Sequence, residues 1–270
     1  LYFFCRYIDD IGDSNISTKK ESKKELKKIQ NQLKTLKSNN IIVSNFINLL
    51  SKYNINVSVP IELINGVLSD LENVNIKNYE DLIDYSFKVA GTVGLMMCDI
   101  MKINDLKLRL KGVQLGIAMQ LTNISRDIKE DLEQKRIYFP QTLRSKKNYH
   151  FSEILTNKLL QKEFSRNLET LLKIADEIYK ISWNGIIKLP FRYKIPIAIA
   201  SCLYQSIGSK IRKKNYDIWE KRIYLTSYEK FLKTIKTLYK LFFYKDTKIV
   251  INTERKIKKI LKKFDSVYCD

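Results

Sequence analysis

Two stretches of this chain repeat carboxylates at a spacing of four residues, and that spacing commits both to helices. In GIAMQLTNISRDIKEDLEQKRIYFP (Gly116–Pro140), Asn123, Asp127 and Asp131 stand at successive i, i+4 positions. Such neighbours lie only about 40° apart around a helix axis, so all three share one face. Gln120 falls one turn earlier on that face, and Arg126 sits beside Asp127. Leu115, Ile117, Ala118 and Met119 precede them, so the polar ladder grows out of a core-seeking helix. Like charges at this spacing destabilise an isolated helix by about 0.2–0.5 kcal/mol, and a cation between them reverses that sign. Oxygen donors without Cys or His suit a hard ion such as Mg²⁺, which takes one or two carboxylates plus substrate phosphates. A solvated acidic helix face explains one such pattern equally well.

The second copy changes the reading. LYFFCRYIDDIGD (Leu1–Asp13) again sets Asp9 and Asp13 at i, i+4, with Asp10 adjacent and Tyr2 and Arg6 on the same side. Two acidic faces, each with an arginine in the same turn or the next, can oppose each other across a cavity and hold a metal-bridged diphosphate.

Only 8 Gly and 4 Pro interrupt 270 residues, and no Pro-, Gly- or Ser-rich linker divides them. With long Leu/Ile/Lys-rich segments, this implies an all-α single domain, a helical bundle. The 49 basic and 29 acidic residues leave a formal charge of +20. The lysines are spread along nearly every predicted helix rather than gathered with aromatics on one element, which argues against nucleic acid as a partner. Two accounts of the charge stay open: attraction to an anionic membrane surface, and a compositional bias toward Lys, Asn and Ile. Cys5, Cys98, Cys202 and Cys269 form no CxxC pair and imply neither zinc nor a disulfide framework, so the expected location is the reducing cytoplasm, or the periphery of the inner membrane face. The single histidine, His150, excludes a His-rich metal site and is expected at the surface. The most apolar stretch, Ile195–Ile207, is too short to span a bilayer.

Periodicity predicts helices over Leu1–Ile11, Lys19–Leu36 (covering the bundle from outside), Ile41–Tyr53, a segment starting at Pro60, Tyr79–Ile103, and one continuous central helix over Leu106–Glu133. Beyond these come one or two helices over Phe151–Ile187, one from Pro196 to about Lys214, and basic amphipathic helices over Tyr228–Tyr244 and Asp246–Phe264. Asp70 is expected on the surface. Ala90, Gly91 and Gly94 give Tyr79–Ile103 a small-residue face, read either as tight helix contact or as room for a chain-like ligand. Tyr85, one turn earlier, reaches the cavity or packs in the core. Arg136 and Tyr138, in a Lys135–Pro140 loop, are placed to close over a diphosphate.

Three segments, YFFCRYIDDIGD, YSFKVAGTVG (Tyr85–Gly94) and LGIAMQLTNISRDIKEDLEQKRIYFP, resemble the squalene/phytoene synthase family, the head-to-head prenyl diphosphate synthases, and within it the bacterial phytoene-forming branch. A weaker fourth likeness runs from Tyr204 through Asn215, Tyr216 and Asp217 to Arg222. The resemblance implies an isoprenoid-synthase bundle around a central cavity. It also implies a Mg²⁺-dependent prenyltransferase (Mn²⁺ substituting) that joins two geranylgeranyl diphosphates through a cyclopropylcarbinyl diphosphate to phytoene, releasing diphosphate. It assigns metal to Asp9, Asp13, Asn123, Asp127 and Asp131, with Asp10 supporting. It assigns diphosphate to Arg6, Arg126, Arg136 and Arg222, joined by Tyr2, Gln120, Tyr138 and Tyr204. The resemblance also puts Tyr2, Tyr85 and Tyr204 among the catalytic residues, in a family thought to use such tyrosines and the released diphosphate near the final proton loss, and Ala90, Gly91 and Gly94 beside the prenyl chain. Ser125 and Lys135 depart from the family pattern, where a larger apolar residue and a glycine are usual.

Family members usually carry a further helix or two before the first acidic motif, so residues 1–270 are expected to be the prenyl-synthase domain without that start. No NADPH is expected, because the reductive type has a different acidic motif and a membrane tail. A squalene, hydroxysqualene or dehydrosqualene synthase acting on farnesyl diphosphate is the nearest alternative. A non-catalytic assembly relative would lose motif carboxylates, and all five proposed metal ligands, four aspartates and Asn123, stand here. The sequence sets no oligomeric state.

Overall fold

The structure, a computed structural model, describes residues 1–14, 18–72, 74–145 and 149–243. The helices are α1 (Tyr2–Gly12), α2 (Lys19–Thr35), α3 (Ile41–Tyr53), α4 (Ser58–Asp70), α5 (Tyr79–Ser86) and α6 (Thr92–Ile100), the last two joined by a π-helical turn over Phe87–Gly91. They continue with α7 (Leu106–Arg126), α8 (Ile128–Glu133), α9 (Phe151–Thr156), α10 (Lys158–Ile186), α11 (Phe191–Lys213) and α12 (Ser227–Phe243). Among the described residues there is no strand. No helix there is long and apolar enough to cross a membrane. The predicted helix over Asp246–Phe264 lies outside the described residues.

Capping chemistry in the sequence starts these helices. The Thr18 hydroxyl takes the Glu21 N–H while the Glu21 carboxylate takes the Thr18 N–H at 2.7 Å, a reciprocal cap on α2. Asn40, Asn78, Asp105 and Asn157 likewise accept first-turn N–H groups of α3, α5, α7 and α10, each such cap worth about 1 kcal/mol.

Two predicted starts fall elsewhere. The Asn56 carboxamide accepts the Ser58 N–H at 2.9 Å, so α4 begins before Pro60 and leaves that proline in the first turn, where a missing N–H is harmless. α11 begins on the Pro190 carbonyl, which takes the N–H groups of Tyr193 (2.9 Å) and Lys194 (3.0 Å), and Pro196 stands inside the helix. The expected continuous Leu106–Glu133 helix is interrupted at Asp127 (φ −104°, ψ 16°). Its hydrogen bonds nevertheless carry through, Asp127 N–H to Asn123 C=O at 2.9 Å and Asp131 N–H to Asp127 C=O at 2.8 Å. The acidic ladder therefore keeps its i, i+4 face across the break.

α7 is the axis of the bundle, with α10, α11, α6 and the π-helical turn packed on it. Two glycines let α7 and the α6 region meet backbone to backbone. A Cβ on Gly94 would stand 2.4 Å from the Gly112 carbonyl oxygen, and one on Gly116 would stand 2.3 Å from that of Ala90. α1, α2, α3 and α4 form a cluster continuous with this core, α4 lying against the π-helical turn and α6. Phe4 of α1 stacks on Phe46 of α3 with ring centroids 3.7 Å apart, and α2 covers the cluster from outside with fully buried Leu26, Ile29 and Leu33. This packing fixes where α1, and so the first acidic stretch, ends.

Candidate active site

The C-terminal end of α7 and the short α8 present the main acidic stretch. The Arg126 guanidinium donates Nε to Asp127 Oδ1 (2.7 Å) and Nη2 to Oδ2 (2.6 Å). Arg222, from the segment between α11 and α12, grips the same carboxylate at 2.9 and 3.0 Å. Asp127 is thus held between two forked cations, a geometry in which paired N–H···O bonds add direction to charge. Arg222 also lies 3.9 Å from Glu130, a residue the sequence reading did not single out. One turn earlier the Asn123 amide donates to the Gln120 carbonyl oxygen at 3.4 Å, while Asn123 Oδ1 is buried with no hydrogen-bond partner. Burial and then the adjacent Asp127 push the Asp131 carboxyl well above the usual range.

The first acidic stretch arrives at the same end of the bundle, joined through Arg136. Arg136 donates Nη1 to Asp13 at 2.7 Å and Nη2 to the Gly12 carbonyl at 3.0 Å, and its backbone N–H bonds the Asp131 carbonyl at 2.8 Å. One guanidinium therefore spans from the α8 side to the end of α1. Although its side chain is 58% exposed, Asp9 is held above the ordinary carboxylate range by surrounding protein and then by Asp13. Arg6 pairs with Asp10 at 2.8 Å and Asp9 at 3.5 Å on the exposed side of α1. Tyr2 is 72% exposed and does not line the cavity described below.

Asp70 is not on the surface as expected: it is 8% exposed. Its Oδ1 accepts the Tyr138 hydroxyl at 2.9 Å and its Oδ2 the Tyr85 hydroxyl at 3.0 Å. The two rings stack 4.8 Å apart. Burial raises the Asp70 carboxyl to about 7 despite those two donors. Tyr85 and Tyr138 accordingly face inward on Asp70 rather than into the open cavity. The signal for Asp70 was present, because it continues the apolar stripe of Leu63, Ile64, Val67 and Leu71 on α4.

Beside this polar end opens an apolar cavity of about 440 Å³. Gln120, Asn123 and Tyr204 line it near the acidic stretch, with Tyr204 standing near Arg126. Ala90, Gly94, Met97, Gly116, Ala200 and Ile197 form much of its wall. It reaches Met101, Leu108 and Leu189, part of a separate apolar cluster at the other end of α7. From Leu108 to Asn123 the helix rises by about 22 Å at 1.5 Å per residue, a path suited to an extended hydrocarbon. Gly91 does not line it: a Cβ there would meet Phe87 at 2.9 Å and Val113 at 3.1 Å.

The donors fit a hard dication. Among the described residues no three Asp, Glu, His or Cys side chains converge on one point. They come instead as the pairs Asp127/Asp131 and Asp9/Asp13, with the unpartnered Asn123 oxygen. Such sets suit an ion that keeps waters and completes its shell with phosphate oxygens.

A helical bundle whose apolar cavity stops at Gln120, Asn123 and Tyr204, one turn short of Asp127, with a second acidic stretch tied to the same end through Arg136, has the architecture of an isoprenoid synthase. Residues 1–229 match the squalene/phytoene synthase family. The chain is 28% identical over 240 residues to the phytoene synthase of Cereibacter sphaeroides, covering 85% of this chain and 68% of that protein. It is 30% identical over 232 residues to the 15-cis-phytoene synthase of Enterobacter agglomerans, covering 82% and 78%. Among solved structures, a dehydrosqualene synthase superposes with TM-score 0.75 at 23% identity, covering 90% of this chain and 85% of that one. A squalene synthase from Alicyclobacillus acidocaldarius superposes with TM-score 0.67 at 19% identity, covering 79% and 81%; these two show the shared fold. The chain belongs to the squalene/phytoene synthase family and is a prenyltransferase, from a family that acts on prenyl diphosphates and generally uses divalent metal.

Proposed function

We propose that the protein is a phytoene synthase, condensing two geranylgeranyl diphosphates head to head through a cyclopropylcarbinyl diphosphate. The observation that carries this reading is the junction of the long apolar cavity with the Gln120–Asn123–Tyr204 end, one helical turn from Asp127 and its two arginines.

Arg126, Arg136 and Arg222 would take diphosphate oxygens, exchanging their present carboxylate partners for substrate. Forked guanidinium donors match phosphate geometry, and they stabilise charge as it grows on the leaving diphosphate while the C1–O bond breaks. Tyr204 and Gln120 would orient the allylic carbon at the cavity mouth. The apolar wall excludes water, so the carbocation meets the double bond of the second prenyl chain rather than a hydroxyl. Asn123, Asp127 and Asp131 on one side, and Asp9 and Asp13 on the other, would hold Mg²⁺, which when bound neutralises diphosphate charge. No side-chain nucleophile enters the scheme.

The test is incubation of the protein with Mg²⁺ and either geranylgeranyl or farnesyl diphosphate, followed by hydrocarbon identification. Phytoene from the longer substrate is expected. A squalene-type hydrocarbon from farnesyl diphosphate, with none from geranylgeranyl diphosphate, would move the chain to the shorter-substrate branch that its dehydrosqualene synthase structural neighbour is named for. The reading includes work at an anionic membrane surface, into which such a hydrocarbon product would partition.

A further inference from the structure

We propose that Asp70 is a positioning residue for the diphosphate end of the cavity: by accepting the hydroxyls of Tyr85 and Tyr138, it sets the loop that carries Arg136 across to α1. The inference rests on reading Arg136 as a diphosphate ligand.

The loop is pinned at three places. At its start, Lys135 takes a left-handed conformation (φ 59°), and the Arg136 N–H bonds the Asp131 carbonyl at 2.8 Å. At its end, the Gln141 N–H bonds the Ile76 carbonyl at 2.9 Å and the Thr142 N–H that of Lys77 at 3.2 Å. Between them, among the described residues, the side chain held by a hydrogen bond is Tyr138, two residues beyond Arg136, which donates to Asp70. Its ring lies on Tyr85, which holds the second oxygen of the same carboxylate. With that anchor in place, the Arg136 guanidinium reaches Asp13 and the Gly12 carbonyl.

A purely structural role would be met more cheaply. Asp70 occupies the apolar stripe of α4, and burying a carboxylate is costly even with two hydrogen bonds. The upward shift of the Asp70 carboxyl, to about 7, reflects that cost by disfavouring its charged form. An apolar residue facing two phenylalanines would pack the same space. What it could not do is fix the rotation of Tyr138, and through it the reach of Arg136.

The experiment is a double-mutant cycle between Asp70→Asn and Arg136→Ala, with Tyr138→Phe as a second probe of the same link. The readouts are the affinity for inorganic diphosphate in Mg²⁺, KM and kcat for the prenyl diphosphate, and the thermal midpoint. D70N keeps the side chain's shape but cannot accept both hydroxyls in the same way. It is expected to weaken diphosphate binding and raise KM about tenfold, the scale of one hydrogen bond to a charged group, with an undiminished thermal midpoint. On the R136A background it should add less than about twofold, because the group it acts through is gone. Y138F should reproduce the pattern, and it decides the matter if D70N fails to fold. A folded D70N that binds diphosphate as the wild type does, or a tenfold loss persisting on R136A, would overturn the inference alone. A wild type that binds no Mg²⁺–diphosphate overturns the functional reading and this inference with it.

Discussion

Asp127 takes four hydrogen bonds from two arginines that reach it from opposite directions in sequence, one adjacent and one 95 residues away. That arrangement makes it the most connected side chain of the site. Asp127→Ala should abolish turnover while far-UV circular dichroism stays helical; product formation surviving the change would remove Asp127 from the metal set. The same change leaves Arg126, whose side chain is 16% exposed, without its carboxylate. A stability loss of about 1–3 kcal/mol in chemical denaturation should therefore accompany it. Arg222 is half exposed, so Arg222→Lys should cost little stability. It should still raise KM several-fold, since an ammonium cannot reproduce the fork; an unchanged KM would reduce Arg222 to a surface partner. The acidic ladder was legible because period-four spacing survives whatever surrounds the helix. Asp70 was not, although its place in an apolar stripe was visible, because a lone acidic residue carries no mark of its partners. Tyr85 and Tyr138, 53 residues apart, meet on it only in the folded chain.

Among the elements, the small-residue face of Tyr79–Ile103 admitted two readings, tight contact or open space, and the structure divides them by residue. Gly94 does both, touching Gly112 and lining the cavity, while Gly91 is packed solid against Phe87 and Val113. No sequence rule separates those outcomes, because the π-helical turn over Phe87–Gly91 shifts the register between them. Gly94→Ala would drive a methyl against the Gly112 carbonyl, an immovable backbone atom, and should cost about 1–3 kcal/mol. A thermal midpoint equal to wild type would mean that the Gly94–Gly112 contact does not join α6 tightly to α7. Ala200, on the α11 wall, has space before it instead. Ala200→Phe should shorten the cavity and shift the ratio of kcat/KM toward farnesyl over geranylgeranyl diphosphate; an unchanged ratio would mean that the prenyl chain runs elsewhere.

At the scale of the molecule, the all-α architecture was readable from the scarcity of helix breakers, but the distribution of exposed apolar surface was not. α12 packs on α11 and turns Tyr228, Phe231, Ile235, Tyr239 and Phe242 outward at 70%, 61%, 48%, 66% and 76% exposure. These positions fall on one side of the helix; Lys236 flanks that side, while Lys230 and Lys233 stand on the opposite one. The chain beyond, residues 244–270, adds eight Lys or Arg against four acidic residues. An anionic lipid surface complements both. Each lysine near such a surface contributes roughly 1 kcal/mol, an attraction confined to about a 10 Å screening length at 0.1 M salt. The protein should therefore co-sediment with vesicles containing anionic phospholipid, release as salt rises, and ignore vesicles of neutral lipid. Phe231→Ser with Phe242→Ser should weaken the binding that remains at high salt without changing turnover of detergent-dispersed substrate. Equal binding to neutral and anionic vesicles would leave the charge of +20 as composition alone. Retention by duplex nucleic acid in place of lipid would give that charge a different partner.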